Sequence, residues 1–163
     1  MRGIAIAALF AVLLAGCGSD DEAPATQPPP AAATASGARE LAVGDAVVRA
    51  EIADDDAERA LGLGGRDRLA RDAGMYFVLT SSAPRIWMKG MRFPLDLVWI
   101  RDGRVVDVTA RVPDESRGTP ESELPVYSPS RPADRVLEVN AGWTERNGVR
   151  AGDPVRFANA SSG

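Results

Sequence analysis

Apolar and polar residues alternate along much of this chain, and the alternation has the period of a β-strand rather than of a helix. From Ala46 to Ala53, Val48, Ala50 and Ile52 fall on one face and Arg49 and Glu51 on the other. Gly74 to Leu79 is a strongly apolar strand, and Arg85 to Lys89 is another, carrying Ile86 and Trp87. Pro94 to Ile100 is apolar on both faces, which predicts a strand central to a sheet. Asp102-Gly103 then makes a tight hairpin turn, because glycine accepts positive φ cheaply, and Arg104 to Val112 is the return strand. Further strands are predicted over Arg135 to Asn140 and Pro154 to Ala158. The 3.6-residue period is scarce. Asp55 starts a short helix with Glu58 as its capping-box partner, broken by Gly62, Gly64 and Gly65. Trp143 to Asn147 forms a helical turn closed by Gly148, and Pro113 to Pro132 reads as a long surface loop. Short strands separated by turn signals predict a mostly β fold, a jelly-roll-like β-sandwich or partly open barrel with one or two short helices.

The first residues carry a different pattern. Arg2 precedes the apolar run Ile4 to Leu14, which at about eleven residues is too short to span a membrane. Leu14-Ala15-Gly16-Cys17 then reads as a lipobox, so residues 1–16 are expected to be a lipoprotein signal peptide and Cys17 the lipidated N-terminus. An ordinary signal peptide with a coincidental cysteine is the alternative. Residues 17–38 are rich in Ala and Pro, include Pro28-Pro29-Pro30, and have almost nothing apolar to bury, which predicts a disordered tether. At about 3.1 Å per residue, some twenty residues reach roughly 60 Å. A single β-rich domain is expected over residues 39–160, with a tail at 161–163.

Composition narrows the chemistry. Cys17 is the only cysteine, so once acylated it leaves no thiol for a disulfide, a nucleophile or zinc. The absence of histidine removes the usual metal ligand and general base, and excludes Ser-His-Asp and Cys-His catalysis. The net charge of −4 and the lack of a long basic stretch give no argument for nucleic acid. Asp54-Asp55-Asp56 lacks calcium-loop spacing and is explained by helix capping. No cofactor and no metal are expected.

Several motifs in fixed order resemble a bacterial and archaeal family catalogued as domain-of-unknown-function family 192. They are Glu58-Arg59-Ala60-Leu61-Gly62-Leu63 with Arg66, Asp72-Ala73-Gly74-Met75-Tyr76-Phe77, Trp87-Met88-Lys89 and Pro94 to Ile100. Val136-Leu137-Glu138-Val139 with Ala141-Gly142, Gly148-Val149 and Gly152-Asp153 complete the match. The resemblance implies a compact jelly-roll sandwich and no reaction. The family usually has methionine where this chain has Gly64, so a pocket at that place would be wider or differently shaped here.

Among polar residues, Asp96 stands out because it lies in an apolar strand. A carboxylate there needs a cation or several hydrogen-bond donors, and Arg59, Arg66 and Lys89 are the candidate cations. It is either a structural or turn-bracing carboxylate or a pocket group orienting a ligand. Trp87 and Lys89 share a face if their segment is a strand, and together offer a flat apolar surface and a cation to an anionic or sugar-like ligand. Met88 is expected in the core. Glu138 alternates with Leu137 and Val139 and is expected to turn toward solvent or a cross-strand arginine.

The leading functional expectation is an extracytoplasmic, lipid-anchored, non-catalytic binding module of the cell envelope. Its site would lie around Arg66, Trp87, Lys89 and Asp96, its membrane contact at Cys17, and its ligand would be a small molecule, a glycan or an envelope protein. The alternative is a carboxylate-based hydrolase of envelope glycans, with Asp96 and Glu138 as acid and base. A third reading is an assembly factor or spacer that presents a surface.

Overall fold

The computed structural model describes residues 37–114 and 118–158. The expected signal peptide, the lipidation of Cys17, the tether up to residue 36 and the tail lie outside the described residues. Chain order is β1 (Arg39–Val43), β2 (Ala46–Ala53), α1 (Asp56–Leu61), β3 (Ala73–Val78), β4 (Ile86–Trp87), β5 (Leu95–Arg101) and β6 (Arg104–Val112). A 3-10 turn at Glu121–Glu123, β7 (Val126–Tyr127), β8 (Arg135–Asn140), α2 (Trp143–Arg146) and β9 (Val155–Phe157) follow. The fold is mostly β with two short helices, as the alternation predicts.

Seven strands form one sheet in the order β6-β5-β8-β3-β2-β1-β9, and β4 pairs with β7 in a separate ribbon. Every pair in the large sheet is antiparallel except β2–β3, whose crossover contains α1. The sheet curls until its two edges touch. Val105 N–H donates to Asp153 O at 2.9 Å, Gly152 N–H to Val105 O at 2.8 Å, and Val155 N–H to Gly103 O at 2.8 Å. This seam makes a half-barrel, the partly open barrel of the two architectures expected.

Alternation along each strand divides the apolar residues between two cores. Leu41, Val43, Val48, Val98, Ile100, Val105, Leu137, Val139, Trp143 and Val155 fill the inside of the curl, to which both sheet edges contribute. Leu63, Met75, Phe77, Met88, Met91, Leu95, Leu97, Trp99 and Val136 form a second core on the opposite face, under residues 61–93 and the β4–β7 ribbon. Strand β5 is packed on both sides, and all six residues from Leu95 to Ile100 are buried. That double burial is why its sequence is continuously apolar.

Local signals act as anticipated at several places. Asp102 (φ 50°) and Gly103 (φ 70°) form the β5–β6 turn. The Asp55 side chain accepts from Glu58 N–H at 2.8 Å, and Glu58 Oε2 accepts in return from Asp55 N–H at 3.5 Å, so the capping box closes around the start of α1; Asp54 N–H donates to the same oxygen at 3.1 Å. Other expectations need correction. Strand β1 is absent from the sequence reading, and β4 is two residues rather than the full span 85–89. The expected loop 113–132 contains the 3-10 turn and β7, which exists because Val126 and Tyr127 find partners in Trp87 and Ile86. Among the described residues no helix is long and apolar enough to cross a membrane.

Candidate functional site

A cavity of about 630 Å³ opens on the face carrying the second core. Its wall is built from the end of α1 and the loop after it, from Phe77 and Leu79 at the end of β3, and from the segment Arg85–Met91, with Leu95 and Glu138 also lining it. The loop and the segment are held together by backbone: Gly65 N–H donates to Gly90 O at 2.8 Å. Gly64 lies at this crossing. A β-carbon there would stand 3.2 Å from Leu61 O and 3.3 Å from Lys89 O, tighter than ordinary contact. The absent side chain lets the two backbones approach and leaves the cavity wall bare at this point, the place where the family resemblance marks a departure.

Glu138 is the feature that distinguishes this cavity. Its β8 neighbours in register are Met75 on β3 and Leu97 on β5, and both are buried apolar residues. Only 6% of Glu138 is exposed, and its carboxyl has no hydrogen-bond or ion-pair partner among the described residues. Burial pushes its pKa up to about 8, because removal from water penalises the charged form. The outward orientation expected for Glu138 is corrected here. The reasoning about alternation is right, but the other face of the sheet is covered by a second core, and among the described residues neither Arg59 nor Arg85 of the cavity lining bonds to the carboxyl.

The rim is cationic and partly apolar. Arg59 is occupied, donating to Asp54 O at 2.6 Å, to Val78 O at 3.1 Å and to Asp56 Oδ1 at 2.6 Å. Lys89 pairs with Glu121 at 2.7 Å and lies 5.1 Å from the centre of the Trp87 ring. Arg85 has no partner for its guanidinium among the described residues, although it lines the same cavity. Leu61 and Trp87, also in the lining, are two of the exposed large apolar residues. Met88 is core, at 1% exposure. Sequence reasoning passes over Arg85 and Phe77; the available signal for Arg85 is its place beside Ile86-Trp87 in a short segment between Pro84 and Gly90.

The other residues singled out from the sequence lie elsewhere. Arg66 is not in the cavity lining; it makes a two-pronged ion pair with Glu51, both bonds at 2.7 Å. Glu51, Met75, Glu138 and Leu97 form one lateral row across four strands on the same face. One acid of that row is therefore ion-paired and the other has no partner among the described residues. Asp96 is fully buried on the opposite face and touches none of Arg59, Arg66 or Lys89. Its Oδ1 accepts from Arg111 N–H at 2.8 Å and Gly142 N–H at 3.0 Å. Its Oδ2 accepts from Thr144 N–H at 2.9 Å and Thr144 Oγ1–H at 2.6 Å. Burial alone would raise the Asp96 pKa, but the Thr144 hydroxyl and the three N–H donors overcome it and hold the carboxyl below its ordinary value. Asp96 thus caps α2 from a neighbouring strand and fixes the bulge in β6, where Arg111 has φ 54°. Asp96 faces Val139 in register while Glu138 faces Leu97, so the two carboxyls point to opposite sides of the sheet. They do not flank a common bond. Among the described residues no group of three or more acidic side chains comes together as a metal site.

Comparison with known proteins agrees with this architecture. The family model DUF192, described as "Uncharacterized ACR", matches residues 39–157. A protein from Sinorhizobium meliloti 1021, named a "putative transcription regulator", superimposes with a TM-score of 0.64 at 29% identity, over 74% of this chain and 94% of its own. A protein of unknown function from Novosphingobium aromaticivorans DSM 12444 gives a TM-score of 0.64 at 29% identity, over 87% of this chain and 99% of its own. No curated protein matches. With the family model spanning the whole curled sheet, from β1 to β9, this chain belongs to the DUF192 family.

Proposed function

We propose that this chain is a lipid-anchored binding module of the cell envelope and that its binding site is the Glu138 cavity. The observation that carries the reading is a carboxyl without a partner among the described residues, nine-tenths buried, at the wall of an open cavity. Burying a polar group without a hydrogen bond costs a few kcal/mol. A ligand that supplies the missing partner offsets that penalty on binding. The volume suits a small organic molecule, and the lining is mainly apolar with a few polar groups, the composition typical of such sites. The anchoring half of the proposal rests on the lipobox ending at Cys17 and the Pro- and Ala-rich stretch behind it. The hydrolase alternative loses its geometric basis, because Asp96 and Glu138 stand on opposite faces.

Nile red, an uncharged apolar dye, tests the cavity. The full chain is expected to bind it saturably at one site, and Leu79→Trp, which narrows the cavity, to lose that site while still unfolding cooperatively. Absence of saturable binding, or unchanged binding in Leu79→Trp, refutes the assignment. Mass spectrometry of chain purified from membranes tests the anchor. It should show a diacylglyceryl group on an N-terminal Cys17, and Cys17→Ser should release the protein from the membrane fraction.

A further inference from the structure

We infer that the ligand of this cavity is two-ended: an uncharged carboxamide-like group seated on Glu138, an apolar body, and an anionic group held at the mouth by Arg85. The inference rests on the cavity being a binding site and deepens that reading by naming the chemistry of its occupant. Two groups in the same lining lack partners among the described residues, and they are unlike each other. Glu138 is buried between Met75 and Leu97, and Arg85 is exposed.

Consider the inner end first. A carboxyl between two apolar side chains, with no cation within bonding reach, keeps its proton. A neutral carboxylic acid presents one O–H donor and one carbonyl acceptor side by side. A carboxamide returns the complementary acceptor and donor, and so satisfies both at once. A cationic amine is a poorer match. It would have to ionise Glu138 against burial, and it would share the cavity with Arg59, Arg85 and Lys89. Those same cations favour an anion at the mouth. Arg59 is committed to Asp56 and two carbonyls, and Lys89 is shared with Glu121, which leaves Arg85 as the cation of this lining without a partner among the described residues. The same lining holds Leu63, Phe77, Leu79, Ile86, Met88 and Leu95, an apolar surface for the body of the ligand.

Four matched probes separate the two ends: sebacic acid monoamide, decanoate, decanamide and the ω-amino acid of the same length. Displacement of Nile red from the full chain, confirmed by calorimetry, reads their affinities. The monoamide is expected to bind tightest, with about tenfold weaker binding for decanoate and for decanamide, each of which lacks one end. Glu138→Leu should erase the advantage of the monoamide over decanoate, and Arg85→Ala its advantage over decanamide. Glu138→Gln keeps a neutral donor and acceptor, so it should preserve the preference for the amide. Removing an unpartnered buried carboxyl does not threaten folding, so each Glu138 variant is a usable control. If the ω-amino acid binds tightest, if the four probes bind alike, or if none displaces the dye, the two-ended ligand is wrong. If Nile red itself does not bind, the cavity assignment fails instead.

Discussion

Two buried carboxyls, one register position apart on neighbouring strands and on opposite faces of the sheet, respond to pH in opposite senses. Glu138 has its folded-state pKa raised to about 8, so the folded protein holds that proton more tightly than the unfolded chain. Stability from this group is greatest below the unfolded value and falls as pH rises through the folded one, by up to about 1.4 kcal/mol per unit of pH. The charges facing its side of the sheet are Arg59, Arg85 and Lys89 in the cavity and the Glu51–Arg66 pair along the row, and none bonds to it. Denaturant unfolding of wild type and Glu138→Gln between pH 5 and about 8 should diverge, with the variant gaining relative stability toward the alkaline end. Equal curves would show that the carboxyl has a partner. Asp96 works the other way. Its pKa is lowered, so its contribution is present above the unfolded value and is lost as pH falls through the folded one. Asp96→Asn replaces an acceptor by an N–H donor facing N–H groups, and should lower the free energy of unfolding by about 1–3 kcal/mol while leaving Nile red binding intact.

At the scale of elements, each strand is legible where alternation is long enough to repeat. The eight residues of β2 and the seven of β5 announce themselves, one by its period and the other by its unbroken apolar run. Strand β1 escapes because only Leu41 and Val43 of its five residues are buried, while Arg39 and Glu40 resemble the polar tether before them. Its one signal is Gly44-Asp45, a turn pair between two valine-bearing segments. Strand β7 escapes because two residues carry no period; only the presence of β4 makes them a strand. The candidate site is legible in part. Trp87 and Lys89 come together as their spacing suggests, whereas Asp96 and Arg66 find partners that no local pattern announces. The side of Glu138 is readable, but not what covers it, because that depends on the crossover after β2 and on the segment after β3. Helix α1 shows how far local chemistry reaches. It has no buried residue, so its capping box is a main support. Asp55→Ala should weaken it by about 0.5–2 kcal/mol, seen as faster amide exchange over residues 56–62, and should loosen the cavity wall that Arg59 to Leu61 provide.

For the whole molecule, the sheet is continuous from β6 to β9 but its closure is slight. The seam between residues 103–105 and 152–155 consists of a few hydrogen bonds, whereas β5 and β8 lie between neighbours on both sides. Hydrogen exchange should therefore rank the molecule. Amides of β5 and β8 should exchange at the rate of global unfolding, and those of Val105, Gly152 and Val155 sooner, through opening of the seam alone. If the seam amides exchange as slowly as β8, closure is an integral part of the cooperative unit.

Strand β8 also has a bearing on how such a protein diversifies. Leu137 and Val139 face the apolar interior of the curl, and Val136 and Glu138 face the side that holds the cavity. On the binding role proposed above, successive codons answer to different demands, one for persistence of the scaffold and the next for what the scaffold recognises. A lineage can exchange Glu138 for another side chain, and so acquire a taste for a different molecule, while inheriting its barrel unaltered.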